Sequence, residues 1–271
     1  MRYFLKVTLA EMKKQHSNNI HNKKMYISHF LWPILTFISA YYSYKPFNFD
    51  KISSKVSYLN EHNILIFMLI GYMSLQFFQC LIQSAWNLSY ERVSGTLELI
   101  YLTPASRLGF VAGNAISSLF ESIWLFVVFS AAVLFINGSS MKVNIITLIV
   151  GIVLAIIMAM LWGMLLNAIF LFSRDSGFLF TVLQEPMEMF AGIKTPTAIF
   201  PFWAKVLSVV FPLTYCAEIL RRAVLNGSSL WQIKTFLLGS IIVGLIMFVT
   251  TILCLRAAEK YAKRTGNMAL F

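Results

Sequence analysis

Three sets of polar residues fall at helical spacing inside otherwise apolar stretches, and they are the groups best placed to do chemistry. Gln76, Gln79, Gln83 and Asn87 stand at offsets of 3, 7 and 11, which is one face of a helix. Asn114, Ser117 or Ser118, and Glu121 line a second face, and Gln184, Glu185 and Glu188 gather around Pro186. In hydrocarbon such groups must meet protein or water. Two readings are therefore open: hydrogen-bonded glue between helices, at about 0.6 to 2 kcal/mol per bond, or the lining of a substrate pathway or moving interface. Glu121 is the sharpest case, because no Lys or Arg lies in the middle of the neighbouring apolar stretches to pair with it. A protonated or water-contacting carboxyl is the expectation there.

Other chemistry lacks its residues. The chain contains no Gly-Lys dipeptide, so the phosphate-cradling loop G-x-x-x-x-G-K-[ST] is missing and no nucleotide site of that kind is expected. Neither G-x-S-x-G nor H-E-x-x-H occurs, which leaves no local nucleophile or metal-hydrolase motif. Cys80, Cys216 and Cys254 are isolated, and His16, His21, His29 and His62 lack ligand-like spacing. Neither a disulfide framework nor a metal site is expected.

The elements that must position these residues are membrane spans. Of 271 residues 58% are hydrophobic and 12% charged, far from the balance of a soluble domain. The net charge of +11 fits basic residues flanking spans and meeting anionic headgroups, with no nucleic-acid partner implied. At about twenty residues per crossing, apolar runs predict spans over 25–44, 64–87, 108–136, 143–172, 177–193 and 231–255. The fold class expected is an all-α polytopic membrane protein, one transmembrane domain over 1–271. Residues 199–216 are apolar too, but Pro201, Lys205 and Pro212 fit a re-entrant hairpin, taken over 196–222, better than a seventh crossing. An even count keeps both basic termini inside: six spans place 13 of the 22 Lys and Arg on the cytosolic side. Within 1–24, Phe4 or Leu5, Leu9 and Met12 form one stripe with lysines beside it, the pattern of a helix lying in the inner interface. The mixed polar chain of about twenty-five residues before the first apolar run does not read as a cleavable signal peptide.

Between the second and third spans lies ERVSGTLELIYLTPASR, residues 91–107. Gly95 frees the backbone to turn off the second span, and Pro104 stops a short helix predicted over 91–103. Leu97, Ile100 and Tyr101 then share a face suited to a groove in a soluble partner, with Glu91, Arg92, Glu98 and Arg107 around its rim. This segment resembles the cytosolic coupling helix of type-2 export-type ATP-binding cassette permeases, E-R-E-x-G-T-L-E-x-L-x-x-T-P-x-S-R. Glu91, Arg92, Ser94, Gly95, Thr96, Leu97, Glu98, Leu99, Thr103, Pro104, Ser106 and Arg107 carry the match. A second similarity to the same family runs through Gly192, Pro196, Pro201, the Phe211-Pro212-Leu213-Thr214-Tyr215 string, Glu218 and Arg221.

The resemblance implies a permease half-transporter in a cell membrane of bacterial type. It would have no ATPase site or cofactor of its own, with ATP and Mg on the partner. Two nucleotide-binding subunits would dock on the 91–107 segment, and a second permease, identical or paralogous, would complete the pathway. Pro212, Tyr215, Glu218, Arg221 and Arg222 would form an external gate, the two arginines meeting headgroups or an anionic substrate, or standing, as is commoner, as solvated charges at a helix end. The cargo class it implies is an amphipathic compound such as an antimicrobial peptide, drug or natural product. A lipid-linked glycan is the alternative, disfavoured because residues 1–24 lack the D-L-K-x-R-Y opening associated with polysaccharide exporters. Outside the family, an intramembrane enzyme or a stand-alone immunity or sensor protein is the competing class.

Overall fold

A computed structural model describes residues 2–20, 63–137, 143–170 and 180–265, with isolated helical residues at 27, 31, 34, 35, 38, 39 and 42. The first predicted span, 25–44, therefore lies largely outside the described residues. Among those described, every regular element is helical. In chain order they are α1 (Arg2–Ile20), α2 (Ile64–Val93), α3 (Thr96–Leu102), α4 (Arg107–Asn137) and α5 (Ile145–Phe170). A π-helical turn (Phe180–Gln184) then leads into α6 (Glu185–Phe190), followed by a 3₁₀ turn (Thr197–Ile199). The series closes with α7 (Phe202–Val210), α8 (Pro212–Leu225) and α9 (Lys234–Thr265).

The helices start and stop where the local chemistry dictates. Asn144 caps α5 by accepting from the Thr147 amide at 3.1 Å, the bond a free N-terminal donor requires. Pro212 opens α8, a position where its missing N–H costs nothing. Of the run expected over 177–193, the described residues 180–190 are helical without a break. They form a π turn followed by six α-helical residues with Pro186 near their start.

By length and composition two described helices are able to cross a membrane, Ile145–Ile169 and Lys234–Ala258, and a third arises if α7 and α8 count as one broken span. Those two helices meet at 94°. The bend is tied by side chains: the Thr214 hydroxyl donates to the Ser208 carbonyl at 2.7 Å, and the Tyr215 hydroxyl to that of Val209 at 2.9 Å. Thr214 thus adds a second donor to the Ser208 carbonyl, which also accepts from the Phe211 amide at 3.3 Å, and Tyr215 gives one to the Val209 carbonyl at the end of α7.

Helix α5 sits centrally, packed on α2, α4, α8 and α9. Phe67, Phe77, Phe78, Phe110, Met158 and Trp162 fill the space among these helices. In lipid, leaving the solvent gains little for an apolar helix, so small residues that admit close packing carry more of the association. Gly239 on α9 receives the Tyr215 ring, where a Cβ would lie 2.4 Å from the ring edge. Gly151 on α5 does the same for Ile219 and Leu220 of α8, at 3.0 Å each.

Candidate functional site

The 91–107 segment is built by short-range bonds. Helix α2 runs on to Val93, so residues 91–93, expected in the short helix, instead close the long one. The Ser94 amide donates to the Tyr90 carbonyl at 2.9 Å, and Gly95 then takes φ 70° and ψ 3°. A side chain in that left-handed conformation costs about 1–2 kcal/mol, which is why glycine stands there. The Thr96 hydroxyl reaches back over the turn to Glu91, donating to its carbonyl at 3.0 Å and lying in close contact with the carboxylate. Thr103, preceding Pro104, is forced extended at φ −83° and ψ 156°, and α3 ends after seven residues. Ser106 caps α4 by accepting from the Gly109 amide at 3.2 Å, while Arg107 donates to the Ala105 carbonyl at 3.4 Å.

The outward face of α3 differs from the sequence expectation. Ile100 is turned inward against the core. Leu99 and Leu102, three residues apart and 64% and 76% exposed, occupy the outer face, with Ser94, Gly95, Thr96 and Pro104 exposed around them. The reason is geometric: α3 lies against the bundle, and one side of a seven-residue helix must face it. The side chains of Arg92, Leu97, Glu98 and Tyr101 lie outside the described residues.

Behind this turn lies a charge cluster. The Lys14 ammonium on α1 sits 2.8 Å from Oε1 of Glu91 and 3.0 Å from Oε1 of Glu11. Gln15 donates to the same Glu11 oxygen at 2.8 Å, and Lys14 lies 5.5 Å above the Phe110 ring. Burial raises the Glu11 carboxyl pKa above its usual value, against the opposing pull of Gln15 and Lys14. For Lys14 burial works downward, but the bonds to Glu91 and Glu11 outweigh it and the ammonium is raised. Helix α1 comes this close because Gly109 and Gly113 of α4 lack side chains. A Cβ at Gly113 would lie 2.7 Å from the Thr8 carbonyl oxygen, and one at Gly109 3.1 Å from that of Phe4. The G-x-x-x-G pair thus receives α1, and the Thr8 hydroxyl seals the contact by donating to the Gly109 carbonyl at 3.2 Å. The packed face of α1 is Thr8, Glu11 and Gln15, leaving Leu5 and Leu9 exposed.

The polar stripes divide. Asn114 donates to Asn167 at 3.3 Å and Asn167 to the Gly163 carbonyl at 2.8 Å, a hydrogen-bonded joint between α4 and α5. Gln76 is buried and Gln79 half-buried, whereas the side chains of Gln83 and Glu121 lie outside the described residues. The indole of Trp162 donates to Gln184 at 3.4 Å, joining α5 to the π turn. Glu185 is exposed, and Glu188 pairs with Lys194 at 3.2 Å.

The arginines expected at an external gate are engaged within the fold. Arg221 is 2% exposed, where the sequence expectation had it meeting headgroups or substrate. Its guanidinium donates to the carbonyls of Phe67 (3.1 Å), Gly192 (2.7 Å) and Ile193 (2.8 Å) and stacks 3.5 Å from the Phe67 ring centroid. Gly71 makes room for it, since a Cβ there would lie 2.4 Å from the guanidinium. Arg222 pairs with Glu218 at 2.8 Å and lies over Phe236. Pro212 is buried at the bend and Tyr215 half-buried across it.

Sequence reasoning passed over Glu11 and Lys14. The signal was available: Glu11 is the only acidic residue before Asp50, a lone carboxylate on an otherwise basic helix.

Among the described residues the chain is an apolar helical bundle that exposes a short, tightly turned helix between two long ones. The profile of the ABC-2 type transporter family matches residues 7–225, and the chain belongs to that family. Members are permeases that work with separate ATP-binding subunits, so the chain is the transport component and the ATPase activity resides elsewhere. A comparison with curated proteins finds no match.

Proposed function

We propose that the chain is half of an exporter in a bacterial cell membrane, with six crossings, both termini cytosolic, and α3 as the docking handle for nucleotide-binding subunits. Two such subunits bind ATP and Mg, close, and draw paired handles together, shifting the membrane halves between states of different access. A second permease chain, identical or paralogous, completes the pathway. The cargo is an amphipathic compound of the antimicrobial-peptide, drug or natural-product kind.

The observation that carries this reading is the exposed Leu99 and Leu102 pair. Two large apolar side chains project from a helix whose ends are both fixed, by Gly95 and by Thr103 before Pro104. A short rigid apolar ridge suits insertion into a groove. The proposal is tested by changing Leu99→Asp and Leu102→Asp together, on the outward face, where folding has little at stake. The ATPase subunit should cease to co-purify while the permease remains stable. Undiminished co-purification and hydrolysis would remove α3 as the handle.

A further inference from the structure

Helix α3 is joined covalently to α2 and α4, so any force on it reaches those two helices directly. Helix α1 has no such covalent joint to α3: it is seated on α4, and among the described residues a chain of side chains ties it to the turn at the start of α3. The described route runs from the Thr96 hydroxyl, at the first turn of α3, to the Glu91 carboxylate, then to Lys14 at 2.8 Å, and through Lys14 to Glu11 at 3.0 Å. Glu91 and Glu11 both face inward, with side chains 12% and 7% exposed. Lys14 itself is 34% exposed, so the pair is a partly solvated tie between α1 and α2 whose loss costs less than that of a fully buried pair.

We propose that Lys14 is a positioning residue for coupling, carrying displacement of α3 into α1 and so toward the chain that follows it, the first predicted span. This rests on the reading of α3 as the docking handle. Three features make the link suited to transmission. Helix α1 is seated on Gly109 and Gly113 with backbone contacts too close to slide freely. Its 19 residues form a stiff rod of about 28 Å at 1.5 Å per residue. Its outer face mixes Leu5 and Leu9 with Lys6 and Lys13, the pairing of apolar and basic groups that suits a rod lying along a membrane surface.

The experiment follows amide hydrogen exchange in the permease bound to its ATPase subunits, in phosphatidylethanolamine and phosphatidylglycerol vesicles, with and without a non-hydrolysable ATP analogue. In the wild type the nucleotide should change exchange in both 96–102 and 2–20. Lys14→Met should keep the change at 96–102 and lose it at 2–20, with nucleotide-free protection of α1 within about twofold of wild type. Lys14→Arg should retain both responses. The double exchange Lys14→Glu with Glu91→Lys, which preserves two acids and one base, should restore the response that Lys14→Met loses. A wild-type response at 2–20 in Lys14→Met would overturn the proposal. So would nucleotide-free exchange of α1 at unprotected rates in that variant together with a failed charge exchange, since Lys14 would then serve only to hold α1 down. Absence of any nucleotide effect at 96–102 in the wild type would instead remove the docking reading beneath it.

Discussion

At the scale of single residues, the charged groups that matter are those turned inward. Arg221 donates to three carbonyls on two separate segments, so Arg221→Met should destabilise the folded chain by about 1–3 kcal/mol, the range for leaving buried acceptors short of a donor. A thermal melt in detergent checks this, and a loss below about 1 kcal/mol would contradict it. Glu11 gives a pH signature. Its folded carboxyl is raised, chiefly by burial, so its contribution is fully present below the usual carboxylate value and lost as pH rises through the raised one. Glu11→Gln should therefore hold α1 as well as wild type at acid pH and better at neutral pH, measured by exchange protection of 2–20. The Lys14 contribution persists through neutrality, because its raised ammonium loses its proton only at strongly alkaline pH. These roles were poorly legible in the sequence. The acceptors of Arg221 lie 28, 29 and 154 residues away, and an arginine near a proline-rich loop reads by type as a surface cation.

At the scale of elements, local chemistry was readable and facing was not. Gly95 and Pro104 act within one or two residues, so the turn into α3 and its end follow from sequence. The inward turn of Ile100 depends on which side of a short helix the bundle occupies, and spacing alone does not say. Gly109 and Gly113 of α4 receive the polar face of α1, through contacts with Phe4, Thr8 and Glu11. That assignment predicts that Gly113→Val pushes α1 off α4 at a cost of about 1–3 kcal/mol. The readout is faster proteolysis within 2–20 with α5 still protected, and unchanged cleavage would contradict the contact. Thr214 and Tyr215 make a similar point for the hairpin: residues of the family-like string prove to be the ties of a 94° bend.

At the scale of the whole molecule, composition declared a membrane protein and the family match agrees. Helix α5 at the centre, α1 clamped to α4, and α8 riveted to α2 through Arg221 give a bundle in which a push at α3 has fixed routes inward. The central claim is that α3 is where a separate motor takes hold. The most direct measurement places a photo-activated cross-linker at position 102 on α3 and, as a control, at the also exposed Ile149 on α5, then identifies what each captures in cell membranes. The account predicts that position 102 captures a subunit bearing the phosphate-loop motif and position 149 does not. Capture of that subunit equally from both positions, or only from position 149, would contradict it.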